Sequence, residues 1–259
     1  MESVFLDWDK RDREHQLSHP ESEQVLRDGV VDPPLYWSES VRLLFLLKEV
    51  NDPAMTKNKK TKADTLHVRS NYWLLPGLRE GGISENGKAW DNWEVIARWT
   101  KAILDEVDSI DSWPDIEKDI NSTAKSRAAQ LRRVAVVNVK KEGGGGSADH
   151  AKIGDYFAMT KDLLFAQLKQ CNPHIIVCGG SSIYQLFRSG VNPAERESEL
   201  RKHGALFFHW RYPGGETTVV NWFHFGYFSR LTPALKPWAH LGLVKAVRQI
   251  LGNSQMNTP

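Results

Sequence analysis

Two short apolar runs without polar alternation constrain the fold of this chain most. They occupy residues 134–139, which read VAVVNV, and residues 174–178, which read HIIVC. A strand with one face in water alternates apolar and polar side chains, whereas a strand covered on both faces is apolar along most of its length. The two runs therefore predict central strands of a parallel sheet that carries helices on both faces.

The rest of the chain supplies partners for these two strands. Two further apolar runs, residues 41–47 and 218–223, bring the number of predicted strands to four. Helical spacing of apolar residues predicts helices over residues 90–107, 160–170, 181–187 and 237–251. Because strands and helices alternate, we expect an α/β fold of three layers around a mostly parallel four-stranded sheet.

Length and composition favour one domain. The chain has 259 residues, of which 41% are hydrophobic, and it has no linker or internal repeat, so residues 1–259 are predicted to share one core. An extra helical segment is expected near residues 81–125 and a frayed tail at residues 253–259. Residues 1–13 are charged and lack an apolar signal segment, which predicts a cytoplasmic protein without a membrane partner.

Charge and cysteine content narrow the function. A formal net charge of +2 means that any nucleic-acid surface must be local. The two cysteines, Cys171 and Cys178, lie in or beside apolar segments and are predicted to be buried free thiols. Two cysteines are too few for a four-cysteine zinc or iron–sulfur site, and we expect neither a metal nor another cofactor.

Polar residues follow three of the predicted strands at the point where each ends. Glu49 follows the first strand, Asn138 ends the second, and His224 follows the fourth. The carboxyl ends of parallel strands meet at one edge of a sheet, and ligands gather there. The three side chains are therefore predicted to share one pocket.

The order of these motifs resembles that of the uracil-DNA glycosylase superfamily, particularly its family 4 branch. That family has an apolar strand followed by Gly-Glu-Ala-Pro-Gly, a strand ending in Asn before a Lys, a strand introduced by Pro and followed by Gly, and a strand ending in His-Pro-Ser. The corresponding segments here are residues 48–52 (KEVND), 136–140 (VVNVK), 172–180 (NPHIIVCGG) and 222–227 (WFHFGY). The first segment lacks the leading Gly and the Pro, the last lacks Pro-Ser, and the family's cluster cysteines are absent.

The resemblance implies a glycosylase that flips a nucleotide out of DNA and hydrolyses its N-glycosidic bond. Such chemistry needs one group for the developing sugar cation and another for the departing base. Glu49 would orient water or stabilise the cation, with Asp52 as a second candidate. His224 would donate a hydrogen bond to the leaving base as a neutral imidazole, and Asn138 would read a pyrimidine edge.

Further positions of the motifs are candidates for holding DNA. A base contact is predicted for Asn51. In the family an aromatic side chain downstream of the first motif stacks on the flipped base, so the resemblance implies this role for Tyr72 or Trp73. Contacts to the DNA backbone are predicted for two lysines, a glycine-rich loop and the start of a helix, namely Lys140, Lys141, Gly143, Gly144, Gly145 and Ser181.

Several alternatives remain open at this stage. The altered motifs favour a modified pyrimidine, such as the glucosylated hydroxymethylcytosine of some phages, because the superfamily has antiphage members. A uracil-type repair glycosylase, a catalytically silent nucleic-acid-binding module and a nucleotide or small-molecule enzyme are the other hypotheses. Each residue also has a structural interpretation: Glu49 paired with a lysine, Asn138 as a buried hydrogen-bonded amide, and His224 as a packing residue.

Overall fold

The computed structural model describes residues 5–8, 10–11, 26–51, 74–82, 91–107, 109–141, 143–144, 149–224, 231 and 235–255. A mixed sheet of seven strands lies at the centre, and a two-stranded ribbon lies apart from it. In chain order the strands are β1 (Gly29–Val30), β2 (Leu43–Leu47), β3 (Val50–Asn51), β4 (Ala135–Asn138), β5 (Gly143–Gly144), β6 (Ile175–Gly179), β7 (Leu200–Lys202), β8 (Ala205–Tyr212) and β9 (Gly215–Trp222).

The strand order of the sheet is β1-β4-β2-β6-β9-β8-β7, and β3 pairs with β5. Strands β4, β2, β6 and β9 are neighbours that run parallel, while β1, β8 and β7 are antiparallel additions at the two edges. The α/β class is thus confirmed, but the predicted sheet of four strands is wrong in extent. The four predicted strands are the parallel ones, and the edge strands were missed because they are short or alternate only in part.

Helices account for most of the remaining described residues. They are α1 (Pro33–Ser38), α2 (Leu74–Arg79), α3 (Asp91–Leu104), α4 (Trp113–Ser122), α5 (Ala124–Leu131), α6 (His150–Cys171), α7 (Ser181–Gly190) and α8 (Lys236–Gln255). Helices α3 and α4 lie within the predicted helical segment near residues 81–125. Helix α8 continues to Gln255, two residues beyond Asn253, where the frayed tail was predicted to start.

Helix α6 starts ten residues before the predicted helix at 160–170. The Asp149 side chain accepts a hydrogen bond from the Lys152 amide, which caps the first turn. At the other end Asn172 adopts a left-handed conformation (φ 42°, ψ 55°), and its amide donates to the carbonyls of Leu168 and Lys169. A capping side chain and a left-handed asparagine therefore define both ends of the helix.

Strand β2 shows why the apolar runs are continuous. Leu43 and Phe45 face one apolar cluster, which includes residues of α3, α4 and α8, whereas Leu44 and Leu46 face a second cluster built with α6 and α7. All four side chains are fully buried. Helices therefore cover both faces of the sheet, and each buried leucine contributes about 1.5–3 kcal/mol to the free energy of unfolding.

The cysteine prediction is also confirmed. Cys171 and Cys178 are both free and buried, and burial raises the pKa of the Cys171 thiol to about 12. Neither thiol is therefore a nucleophile at neutral pH. In the part of the chain that the structure describes, no helix is both long enough and apolar enough to cross a membrane.

Candidate functional site

The four parallel strands end at one edge of the sheet, and this edge holds the candidate site. Glu49 lies two residues beyond β2, Lys140 two residues beyond β4, Gly180 directly after β6, and His224 two residues beyond β9. Because these strands are adjacent and parallel, the residues that follow them occupy neighbouring positions along one edge. Glu49 and His224 therefore follow strands that end at a common edge, where they were predicted to lie.

Glu49 is held by an ion pair with Lys140. The Lys140 Nζ lies 3.5 Å from the Glu49 Oε2, and the two side chains are only 10% and 6% exposed. Backbone hydrogen bonds continue the pairing of β2 and β4 to this point, from Val139 N to Leu47 O (2.8 Å) and from Lys140 N to Lys48 O (2.9 Å). The Lys140 ammonium therefore neutralises Glu49, and its predicted contact with a DNA backbone gains no support.

The ribbon of β3 and β5 ties together the loops that follow β2 and β4. Val50 is in register with Gly143, and Asn51 with Gly144. The backbone of the two glycines thus lies beside β3 in a short parallel ladder. Their predicted role as a phosphate cradle stays a prediction, as does the base contact of Asn51. Four further predicted site residues lie outside the described residues, namely Asp52, Tyr72, Trp73 and Gly145.

His224 packs against the glycine that follows β6. Gly180 has a φ of +113°, and a Cβ placed on it would lie 3.4 Å from the His224 Cβ. Partial removal from water lowers the pKa of His224, and the nearby positive charges of Lys48 and His150 lower this pKa further. The imidazole is therefore neutral at pH 7, which is the state that a hydrogen-bond donor to a leaving base requires.

Ser181 begins helix α7 beside this histidine. Gly180 precedes it as the N-cap and has no side chain to bond the first-turn amides. The Ser181 hydroxyl accepts a long hydrogen bond of 3.4 Å from the Asn221 Nδ2. The Asn221 Oδ1 is buried and has no hydrogen-bond partner among the described residues. Asn221 was not predicted, although a polar residue three positions before His224 in an apolar strand was a usable signal.

Asn138 ends β4 at this edge, and its donors bind a buried aspartate. Its backbone amide donates to the Asp28 Oδ2 (2.7 Å), and its Nδ2 donates to the same oxygen (3.1 Å). Gln167 donates to the Asp28 Oδ1 (2.8 Å), and all three side chains are buried. The amide donor of Asn138 thus serves Asp28, whereas its Oδ1 is buried without a hydrogen-bond partner among the described residues, and its predicted base contact stays a prediction. The structural interpretation, a buried hydrogen-bonded amide, describes this residue.

Lys141 belongs to the same buried cluster. Its Nζ donates to the Asp28 Oδ1 (2.6 Å) and to the Asn138 carbonyl (2.8 Å), and it lies 5.3 Å from the centre of the Trp8 ring. Burial lowers the pKa of the ammonium, and the Asp28 carboxylate opposes that shift. The predicted contact of Lys141 with a DNA backbone is wrong, because the side chain has no exposed surface.

The fold and the placed residues define an α/β protein with a candidate site at the carboxyl edge of its parallel strands. Within the described ranges, no group of three or more His, Cys, Asp or Glu side chains is arranged to hold a metal ion. No model of a known protein family matches the chain, and no curated protein has a significant sequence match to it.

Proposed function

We propose that this protein is a monofunctional DNA glycosylase with a uracil-DNA glycosylase-like fold. It flips a modified pyrimidine out of DNA and hydrolyses the N-glycosidic bond to leave an abasic site. The observation that carries the proposal is the position of Glu49 and His224 after β2 and β9, on either side of β6. Both groups that glycosidic bond cleavage needs are thus carried by the same edge of the sheet.

Strand β6 separates β2 from β9, the two strands that lead into Glu49 and His224. Adjacent strands are about 4.8 Å apart, so β2 and β9 are separated by about 10 Å across β6. The strand between them ends at Gly179 and is followed by Gly180, so two residues without side chains lie between the two carriers of the site. In this proposal the pyrimidine enters at this edge, with Glu49 toward the sugar and His224 toward the base.

The chemistry divides between these two residues. As the bond from C1′ to the base nitrogen breaks, its electron pair leaves with the base and the sugar becomes cationic. The Glu49 carboxylate stabilises the cation and accepts a proton from the water that adds to C1′. The neutral His224 imidazole donates a hydrogen bond to the departing base. Lys140 holds the Glu49 carboxylate in place through the ion pair at 3.5 Å.

The substrate that we propose is a pyrimidine larger than uracil. Residues 48–52 lack the leading glycine and the proline of the uracil motif, and residues 224–226 lack its Pro-Ser. A glucosylated hydroxymethylcytosine in phage DNA is the form that we favour. In this proposal the enzyme is cytoplasmic, acts against phages with modified DNA, and needs neither a cofactor nor a protein partner.

A panel of DNA substrates tests the proposal. The protein is incubated with DNA that contains uracil, hypoxanthine, 5-hydroxymethylcytosine or its glucosylated form, and the freed base is identified by mass spectrometry. We expect release of the glucosylated base, reduced about 100-fold or more in Glu49→Gln and in His224→Ala. Glu216→Gln is the control, since the carboxylate of Glu216 is half-exposed and bonds Arg211 at the opposite end of β9.

The result also separates the alternatives. Release of uracil alone would replace the modified-base proposal with a repair glycosylase. Release of no base from any substrate, with DNA binding retained, would overturn the enzyme proposal in favour of a silent nucleic-acid-binding module. One observation favours that second candidate: the amide of Asn138, expected to read a base, is committed to Asp28.

A further inference from the structure

Two exposed aromatic side chains lie on the elements that meet at the buried Trp222, one at the end of β9 and one in the first turn of α8. The Phe223 side chain is 48% exposed, and its ring centre lies 5.2 Å from that of Trp222. On the other side, a Cβ placed on Gly242 of α8 would lie 3.0 Å from the Trp222 Cη2. Trp238 is four residues before Gly242, so it lies one turn away on the same helix face, and it is 62% exposed.

A third apolar side chain extends this surface. Leu235 is 54% exposed, and its carbonyl accepts a hydrogen bond from the Ala239 amide at the start of α8. Leu235 is three residues before Trp238, a spacing that puts both on one side of the helix. We call Phe223, Leu235 and Trp238 the aromatic surface. Large apolar side chains that are exposed where the end of one strand meets the start of a helix are typical of a binding surface rather than of isolated exposed residues.

Positive charge accompanies the aromatic surface. Lys236 lies between Leu235 and Trp238 in the sequence. The turn that joins β7 to β8 also reaches α8, because the His203 carbonyl is 3.8 Å from a Cβ placed on Gly242, and that turn begins with Lys202.

We infer that the aromatic surface binds unpaired bases of single-stranded DNA next to the nucleotide that enters the site. Aromatic side chains stack on bases only where the base faces are free, which a duplex prevents, and cations beside them contact the phosphates. The surface begins at Phe223, which adjoins His224, so the strand that occupies the site passes over it. The inference rests on the proposed function for its partner, DNA, and deepens it by naming the form of DNA that binds.

Anisotropy of a fluorescein-labelled oligothymidylate of about 15 nucleotides tests the inference. We expect Trp238→Ala to weaken binding by about 5-fold to 100-fold, and Trp238→Phe to retain most of the affinity. Trp37→Ala is the matched control, since Trp37 is 47% exposed but lies on α1. We also expect Lys236→Ala to reduce the slope of log affinity against log salt by about 0.7.

Three results would overturn the inference: an unchanged affinity in Trp238→Ala, tighter binding of a duplex of the same length than of the single strand, or Trp238-dependent binding of anionic phospholipid vesicles without DNA binding. The base-release assay keeps the two proposals distinct. If a base is released but Trp238→Ala binds the oligothymidylate as tightly as wild type, only the inference about the aromatic surface is refuted. If single-stranded DNA binds in a Trp238-dependent way but no base is released from any substrate, only the glycosylase proposal is refuted.

Discussion

The Asp28 carboxylate and the Lys141 ammonium form an ion pair of 2.6 Å between two side chains that have no exposed surface. The pair joins the residue before the edge strand β1 to the loop after β4, across 113 positions of sequence. Lys141 directly follows Lys140, the ion-pair partner of Glu49. A buried charge pair thus anchors the segment that positions the candidate carboxylate.

Removal of one member of this pair should be costly. Asp28→Asn leaves the Lys141 charge without compensation inside the protein, so we expect a loss of about 3–5 kcal/mol in the free energy of unfolding. Asp28→Leu combined with Lys141→Met removes both charges and should cost less than Asp28→Asn. Urea unfolding followed by tryptophan fluorescence measures both. Arg211→Ala is the control, because it breaks only exposed ion pairs, to Glu197 and Glu216. We expect it to lower the free energy of unfolding by at most about 1 kcal/mol. An equally small loss for Asp28→Asn would contradict the prediction.

Gly180 should not tolerate a side chain. Its φ of +113° and ψ of 153° belong to a region that only glycine occupies readily, and a Cβ there would lie 3.4 Å from the His224 Cβ. We expect Gly180→Ala to lower the free energy of unfolding by about 1–3 kcal/mol and to shift the imidazole signals of His224. Gly154→Ala is the control: Gly154 lies inside α6 with no atom within 4 Å of the added Cβ, so alanine should stabilise the helix by about 0.5–1 kcal/mol. Equal effects of the two substitutions would refute the argument.

His224 should titrate below the ordinary histidine range. Partial burial is the larger cause of its lowered pKa, and Lys48 and His150 add to it. We expect an NMR titration to place its midpoint below 6.5, and Lys48→Met to move it part of the way back toward 6.5. Because the neutral form is the proposed donor, base release should stay constant at pH 7–8 and fall only as acid protonates His224. A midpoint at or above 6.5 would contradict the proposal that His224 donates its hydrogen bond as a neutral imidazole.

His240 should make stability depend on pH in mild acid. Its ring is buried and stacks on Trp113 with centroids 4.4 Å apart, and burial, with the charges of Arg98 and Lys236, lowers its pKa to about 3. The unfolded chain binds a proton near pH 6.5 and the folded chain does not, so the stabilisation present above pH 6.5 is lost as the pH falls toward 3. We expect the loss due to His240 to approach about 1.4 kcal/mol per pH unit. Urea unfolding of wild type and His240→Phe between pH 7 and 4 checks it, since the variant should lack this component of the slope.

Local sequence pattern was sufficient for the parallel part of the fold. The four apolar runs became β2, β4, β6 and β9 because their side chains pack against helices on both faces. The same pattern was weaker for β8, where exposure alternates only in part, and the two residues of β1 carried no usable pattern. Short helices such as α2 and α5 are too brief for a clear helical period.

Some features of the site likewise follow from local sequence, whereas others depend on residues that are distant in the sequence. The sequence by itself determined that Glu49 and His224 follow the ends of two parallel strands, because strand ends follow from apolar runs that are read locally. Only the tertiary structure decided that the Asn138 amide and the Lys141 ammonium bind a buried aspartate. Their partner Asp28 is more than one hundred residues distant in the sequence, and the packing of β1 beside β4 brings it to them. A buried charge needs a partner, but local residue spacing does not show which distant residue the fold will supply.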